Sequence, residues 1–282
     1  MPPGSSMDKR INTNSGWLMN AMRPHFSAVA AAGSILLVWE AAGRFFEFHP
    51  EILPTPSRIL LEIWEQATKL QAHGLSSAYA IFGGFLIGVV CSAGVACLIG
   101  LSHTLQRVLT PILTILRPAP LTIAAPLVFV WAGYGLRPEI WIAVLLSFVT
   151  VTMGAVRGFR SLPQELLELL ATMGASRRQV LLKARVPASL PSVFSALKLT
   201  VALVVVGTTA CEFAQAETGI GYLMLSSAFK METPLAFAAL TVLGLLALLM
   251  YGGVTLLEHI LIPWHVEMTR SGEYFGIGAF RD

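Results

Sequence analysis

Long apolar runs alternate with short polar joints along this chain, and the runs define its elements. Six matter, at about residues 26–46, 76–101, 108–133, 140–156, 192–214 and 235–257. Most approach or exceed the roughly 20 apolar residues that a helix needs to cross a bilayer. Only helices and closed barrels satisfy their backbone in lipid, so runs of this length predict helices. The expected fold is all-α, a polytopic membrane protein with about six transmembrane helices. The third run contains Pro111, Pro118, Pro120 and Pro126. Proline lacks the backbone N–H and bends a helix, so this run is predicted to be broken or kinked. Residues 1–25 read as a polar N-terminal tail or surface helix, 26–265 as one membrane domain, and 266–282 as a second tail. No repeat or long linker divides the chain.

Composition narrows the class. The 282 residues are 55% hydrophobic and 12% charged, with a mean hydropathy of +0.70. Soluble domains carry about 25% charged residues, so a water-soluble fold is excluded. A net charge of +3, spread along the chain, gives no nucleic-acid footprint. With the N-terminus inside, twelve of the nineteen Lys and Arg fall on the cytoplasmic side and five on the other. The positive-inside rule then places both termini in the cytoplasm. It also places segment 161–191 there, with six of the twelve charges on or beside it. Residues 11–24 are too polar for a signal-peptide core, so the first apolar run reads as a retained span.

Within the runs a few residues stand out. Gly84, Gly88, Ser92, Ala96 and Gly100 recur every four residues and share one helix face. Small residues at that spacing let helices approach closely, either as static packing or as a seam that moves. Polar groups inside spans are pathway candidates. Thr208, Thr209 and Glu212 lie near the outer end of the fifth run, on the approach to Gln215. They form either a hydrophilic lining or gate, or, for Glu212, a bond to a neighbouring helix. Lys198 is expected to snorkel to the cytoplasmic interface. Glu40 reads as structural. Trp131, Trp141 and Trp264 suit an aromatic belt. Cys91, Cys97 and Cys211 match no metal spacing and read as buried thiols. Nothing in the chain calls for a metal or cofactor of its own.

The segment 161–191 breaks the apolar pattern. Ser161 is placed to cap a helix carrying Glu165 and Glu168 in its first turns. Gly174 offers the positive-φ freedom of a sharp turn. A second short helix is predicted over 176–183, with Arg177, Arg178 and Lys183, ended by Pro187 and Pro191. Such a pair is either an interfacial helix on lipid headgroups or a surface offered to a partner.

At these residues the chain resembles the permeases of ABC importers. Their EAA loop runs Glu-Ala-Ala, three residues, Gly, nine residues, Ile, one residue, Leu-Pro. Glu168, Gly174 and Pro187 fall on it at the right spacing, with Leu169 and Leu170 in place of the alanines and Ala184 and Val186 in place of Ile and Leu. Leu36-Leu-Val-Trp-Glu40, Ile52-Leu-Pro-Thr-Pro-Ser57, Arg117-Pro-Ala-Pro120, Gly219-Ile-Gly-Tyr-Leu223 and Leu261-Ile-Pro-Trp264 resemble stretches of the sulfonate, taurine, nitrate and thiamine-precursor permeases, in order. The resemblance implies a bacterial inner-membrane subunit that forms a homodimer around one pathway. Two ATPase subunits would dock on its cytoplasmic loops, and an external solute-binding protein would deliver a small solute. It places Glu165, Glu168, Ala171, Gly174, Ala175, Arg177, Arg178 and Pro187 in the ATPase-coupling segment. No Gly-x-x-x-x-Gly-Lys-Ser/Thr is present, so the ATP site would belong to the partner and the chain itself is not an enzyme.

Two other classes of membrane protein share this composition. An intramembrane protease needs His or carboxylates facing each other in the bilayer, and the six histidines lie outside or at the rims of the runs. An ion-coupled secondary transporter or channel is the nearer rival. Such proteins show inverted repeats and intramembrane ion ligands, and the sequence displays neither.

Overall fold

The computed structural model describes residues 16–46, 49, 51–116, 125–133, 135–215 and 217–263. All the regular structure among them is helical. The elements run α1 (Gly16–Phe45), α2 (Pro56–Glu65), α3 (Ala67–Leu101), α4 (His103–Leu116), α5 (Ala125–Ala132) and α6 (Leu136–Phe159). They continue with α7 (Gln164–Thr172), α8 (Arg177–Val180), a π-helical turn (Leu181–Arg185), α9 (Val186–Gln215), α10 (Ile220–Phe229) and α11 (Thr233–Leu261).

Four helices are long and apolar enough to cross a membrane: Ala67–Leu101, Leu136–Phe159, Arg177–Ala214 and Thr233–Leu261. They hold the second, fourth, fifth and sixth predicted runs. The first run lies within α1, whose Ile35, Leu36, Leu37 and Val38 are exposed. Of the third run, α4 covers His103–Leu116 and α5 covers Ala125–Ala132, and residues 117–124 between them lie outside the described residues. Pro111 sits inside α4, while Pro118 and Pro120 lie outside the described residues. α3 has 35 residues and is about 52 Å long at 1.5 Å per residue, well beyond the bilayer core. Its first turns carry Lys69, Gln71 and His73, so it projects past the lipid at that end.

α6 is the central helix. It buries 67% of its apolar stretch, against 28% in α3, 39% in Arg177–Ala214 and 33% in α11. α3 and α9 lie along it on two sides. In lipid there is no hydrophobic gain from helix contact, so close backbone packing must hold the helices together. Small residues supply that here. A Cβ added at Gly84 would stand 2.2 Å from the Ala143 Cβ, and one at Gly88 2.5 Å from the Ser147 Cβ. Ser92 continues the seam as its Oγ donates to Gly88 O at 2.7 Å and to Phe148 O of α6 at 3.0 Å. Ala96 is buried with Ala155 and Phe159, and Gly100 lies under the side chains of Leu181 and Phe159. On the opposite face, Gly154 meets Ala196 and Gly158 meets Ser189 of α9. The outer faces of α3 and α11, with Leu86, Val90, Leu245 and Leu248, are exposed and suit lipid.

Several expectations are revised. Ser161 does not cap the following helix; its Oγ donates to Gly158 O at 2.7 Å, and Pro163 precedes α7. The second short helix does not stop at Pro187 and Pro191. It runs through the π turn, where Val186 N–H bonds Leu181 O, directly into α9. Pro187 falls in the first turn of α9, and Pro191 is accommodated inside that helix. Cys91 and Cys97 are exposed on α3, and only Cys211 is buried. Their positions lie off the face of α3 that meets α6, which explains the difference.

Candidate functional site

Two polar constellations sit near opposite ends of the long α8–α9 helix. The first is the α7–α8 hairpin. No residue of α7 or α8 is buried. Glu165 and Glu168 face solvent, with Gln164 Nε2 donating to Glu168 Oε1 at 3.0 Å. Leu169 and Met173, 55% and 74% exposed, put apolar surface beside them. The turn is built by local sequence. Gly174 N–H bonds Ala171 O and Ala175 N–H bonds Leu170 O, both at 3.0 Å. This is a Schellman stop, with Gly174 at φ +73° where a side chain would be strained. Ser176 then starts α8 through a capping box. Gln179 N–H donates to Ser176 Oγ at 3.3 Å, and Ser176 N–H to Gln179 Oε1 at 2.7 Å. The hairpin is anchored by Leu181, buried against Gly100 and Phe159, and by Arg185 Nη1, which donates to Gly100 O at 3.0 Å.

The second constellation is buried. Glu212, 1% exposed, accepts from Ser77 Oγ of α3 and from Gly221 N–H, each at 2.5 Å. Ser77 Oγ accepts from Ile220 N–H at 2.7 Å, and His73 Nδ1 accepts from Gly219 N–H at 3.2 Å. Three donors at the start of α10 are therefore satisfied by side chains of α3 and α9, as a buried helix end requires. Both glycines are needed for contact, since a Cβ at Gly219 would lie 2.4 Å from Glu212 Cδ and one at Gly221 2.7 Å from Glu212 Oε2. Thr208 and Thr209 are buried and bond carbonyls of their own helix, Val204 O at 2.9 Å and Val205 O at 2.7 Å. Gln215 is the last residue of α9, and its side chain lies outside the described residues.

Comparison with known proteins decides the family. Residues 76–263 match the family described as "Binding-protein-dependent transport system inner membrane component". The chain belongs to this family. It is a multi-pass membrane permease subunit of an ABC importer. A Haemophilus influenzae protein described as a probable ABC transporter permease is 32% identical over 83% of this chain and 95% of its own length. The formylaminopyrimidine transport permease ThiX of Halalkalibacterium halodurans is 29% identical over 82% of this chain and 92% of its own. The taurine transport permease TauC of Escherichia coli is 27% identical over 89% and 94%. A chain of the inward-facing MetNI methionine ABC transporter shares the fold, with a TM-score of 0.55 at 19% identity over 73% of this chain and 96% of that one.

Two membrane-embedded features of the permease escape sequence reasoning. Lys198 Nζ pairs with Glu258 Oε2, tying α9 to α11. The partner lies 60 residues away in sequence, so hydropathy alone could not find it. Glu139, in the first turn of α6, is 1% exposed, and neither carboxylate oxygen has a hydrogen-bond partner among the described residues. Nothing in the sequence around Arg137 singles out Glu139, and the packing of α6 makes it internal. Helix N-termini favour a carboxylate, which partly offsets its burial. Glu40 is structural as expected, accepting from Arg44 Nε, Ser57 N–H and Ser57 Oγ. Trp131 and Trp141 are exposed, and Trp264 lies outside the described residues.

Proposed function

We propose that two copies of this permease form one pathway across the bacterial inner membrane and that residues 164–187 transmit the work of two ATPase subunits to it. The observation that carries the coupling role is the α7–α8 hairpin. It is exposed on both helices, fixed in shape by a Schellman stop and a capping box, and rooted on the transmembrane helices through Leu181 and Arg185. In this reading Glu165, Glu168, Ala171, Gly174, Ala175, Arg177 and Arg178 form the surface that sits against the ATPase. Pro187 and the π turn lead straight into α9, so a displacement of the hairpin reaches the membrane interior along one continuous helix.

The transmembrane domain has six spans, counting α1 and the α4–α5 pair with the four long helices, and both termini are cytoplasmic. Thr208, Thr209, Glu212 and Gln215 belong to the outer end of the pathway, Glu212 acting as the latch that holds α10 on α3 and α9. The small-residue face Gly84, Gly88, Ser92, Ala96 and Gly100 is the seam along which α3 and α6 are held together during the cycle. ATP binding draws the ATPases together, which favours the outward-open state; this is a population shift driven by a ligand with unequal affinity for two states. An external binding protein delivers the solute. The solute is a small organic compound or oxyanion, sulfonate-, taurine- or nitrate-like, or a thiamine or riboflavin precursor, as for the named relatives.

The test is reconstitution of the complex in vesicles with its ATPase and binding protein. Uptake should require ATP and disappear with a hydrolysis-dead ATPase. Uptake that follows an ion gradient without ATP would identify an ion-coupled transporter instead.

A further inference from the structure

The coupling hairpin does not lie flat on the helices beneath it. A cleft of about 320 Å³ separates them, lined by Gly100 and Leu101 at the end of α3, Gln106 of α4, Ala171 of α7, and Arg177 and Arg185. A second opening of about 540 Å³ shares Gly100, Gln106, Ala171 and Arg185 and adds Arg160. Arg177 and Arg185 thus line the first opening, and Arg160 and Arg185 the second. Glu168 is the carboxylate among the lining residues, and its Oε1 is taken by Gln164. Among the described residues none of the three arginines has an acidic partner within ion-pair distance.

Of the three, Arg160 and Arg177 are exposed and Arg185 is half-buried. Lys198, the other half-buried cation, has Glu258. Arg185 is also half-buried, yet its Nη1 bonds only a backbone carbonyl and its Nε has no acceptor. A cation removed from water without a counter-charge is costly. Arg177 adds a second electrostatic debit, because it stands in the first turn of α8, where the helix dipole opposes positive charge. Guanidinium N–H groups suit phosphate oxygens, and a bidentate fork holds them better than an ammonium would. The remaining walls, Leu101, Leu167 and Val180, are apolar and would accept glyceride or other carbon atoms next to the phosphate. Basic recesses at the cytoplasmic ends of transmembrane helices are the places where anionic headgroups bind.

We propose that this cleft binds a phosphate-type anion, held by Arg185 and Arg177 with Gln106 as a further donor. Its source is either the headgroup of an anionic lipid or a free phosphate. The ligand bridges the end of α3 and the hairpin, so it stiffens the junction between the coupling element and the membrane. That consequence rests on the coupling role proposed above; the binding does not.

The purified full-length complex is placed in nanodiscs of phosphatidylcholine alone or with added phosphatidylglycerol. Retained lipid is counted by native mass spectrometry, and inorganic phosphate is titrated into the phosphatidylcholine discs by calorimetry. The expected result is retention of phosphatidylglycerol or binding of phosphate, about tenfold weaker in either R185Q or R177Q for the loss of one charge-assisted contact. R178Q, whose residue does not line the cleft, should bind as the parent does. Retention of phosphatidylglycerol without phosphate binding assigns the site to lipid, and the reverse assigns it to a soluble anion. No binding of either, or equal binding in R177Q and the parent, overturns the proposal. R177Q lies on an exposed turn and keeps the test valid even if R185Q, which loses the Gly100 contact, fails to fold.

Discussion

The two polar constellations lie near opposite ends of one continuous helix and treat hydrogen bonds in opposite ways. At the α10 end, Glu212 is buried and fully engaged, with both oxygens accepting and the start of α10 satisfied by side chains from α3 and α9. At the other end, the hairpin satisfies its own backbone through Gly174 and Ser176 but leaves its charged residues exposed. A closed network holds helices to each other. A self-shaped element with free charges holds its form while it waits for contact from outside. The first arrangement suits a latch and the second a docking surface.

Substitutions can break this contrast, and the largest effect is expected at the turn. Gly174 stands at φ +73°, and proline is fixed near −65°, so Gly174→Pro costs about 3 kcal/mol or more locally and must rebuild the hairpin. Since α7 and α8 bury nothing, the permease should still insert and assemble, while uptake per ATP hydrolysed collapses. Uptake assays on the reconstituted complex alongside ATPase assays read this directly. Normal coupling in the variant would remove the hairpin from the mechanism. Glu168→Arg should act the same way through charge reversal on the docking face, with the fold unchanged.

At the Glu212 end the effect should be on stability. Glu212→Met leaves Ser77 and Gly221 without their acceptor, which costs about 1–3 kcal/mol per buried group. Thermal unfolding of the purified permease should shift downward. Glu139→Met is the counter-experiment. It removes a buried carboxylate that has no hydrogen-bond partner among the described residues, so the unfolding temperature should hold or rise by the equivalent of about 1 kcal/mol. Equal losses in both variants would show that Glu139 is engaged in a way the chain alone does not reveal. The smallest effect is expected at the cap, where Ser176→Ala should cost about 1 kcal/mol and loosen α8 without unfolding the membrane helices. Hydrogen exchange confined to 176–180 would register it.

Much of the fold was legible because lipid imposes a simple rule on sequence. The helices holding the second, fourth, fifth and sixth runs follow from hydropathy alone, and the seam from Gly84 to Gly100 follows from the four-residue spacing of its small residues. Gly174 was readable because a glycine between two short amphipathic stretches has few other uses, and the EAA-like spacing extended that reading to the loop. The failures share a cause. Pro187 and Pro191 are helix breakers in a single-chain reading, but the helix runs on from the π turn at Leu181–Arg185 into α9, with Pro187 in its first turn and Pro191 inside it. Lys198 with Glu258, Ser77 with Glu212, and Arg185 with Gly100 are contacts between residues 60 or more positions apart. Such pairs depend on which helices become neighbours, and periodicity in one helix does not encode that.

The central claim is that ATP hydrolysis by a partner reaches the membrane through the α7–α8 hairpin. Its most direct measurement is the ratio of solute taken up to ATP hydrolysed, in vesicles containing the complex with parent or Gly174→Pro permease. The predicted result is ATP-dependent uptake in the parent and continued hydrolysis with little or no uptake in the variant. An unchanged ratio, or uptake in the parent that proceeds without ATP, would contradict the account.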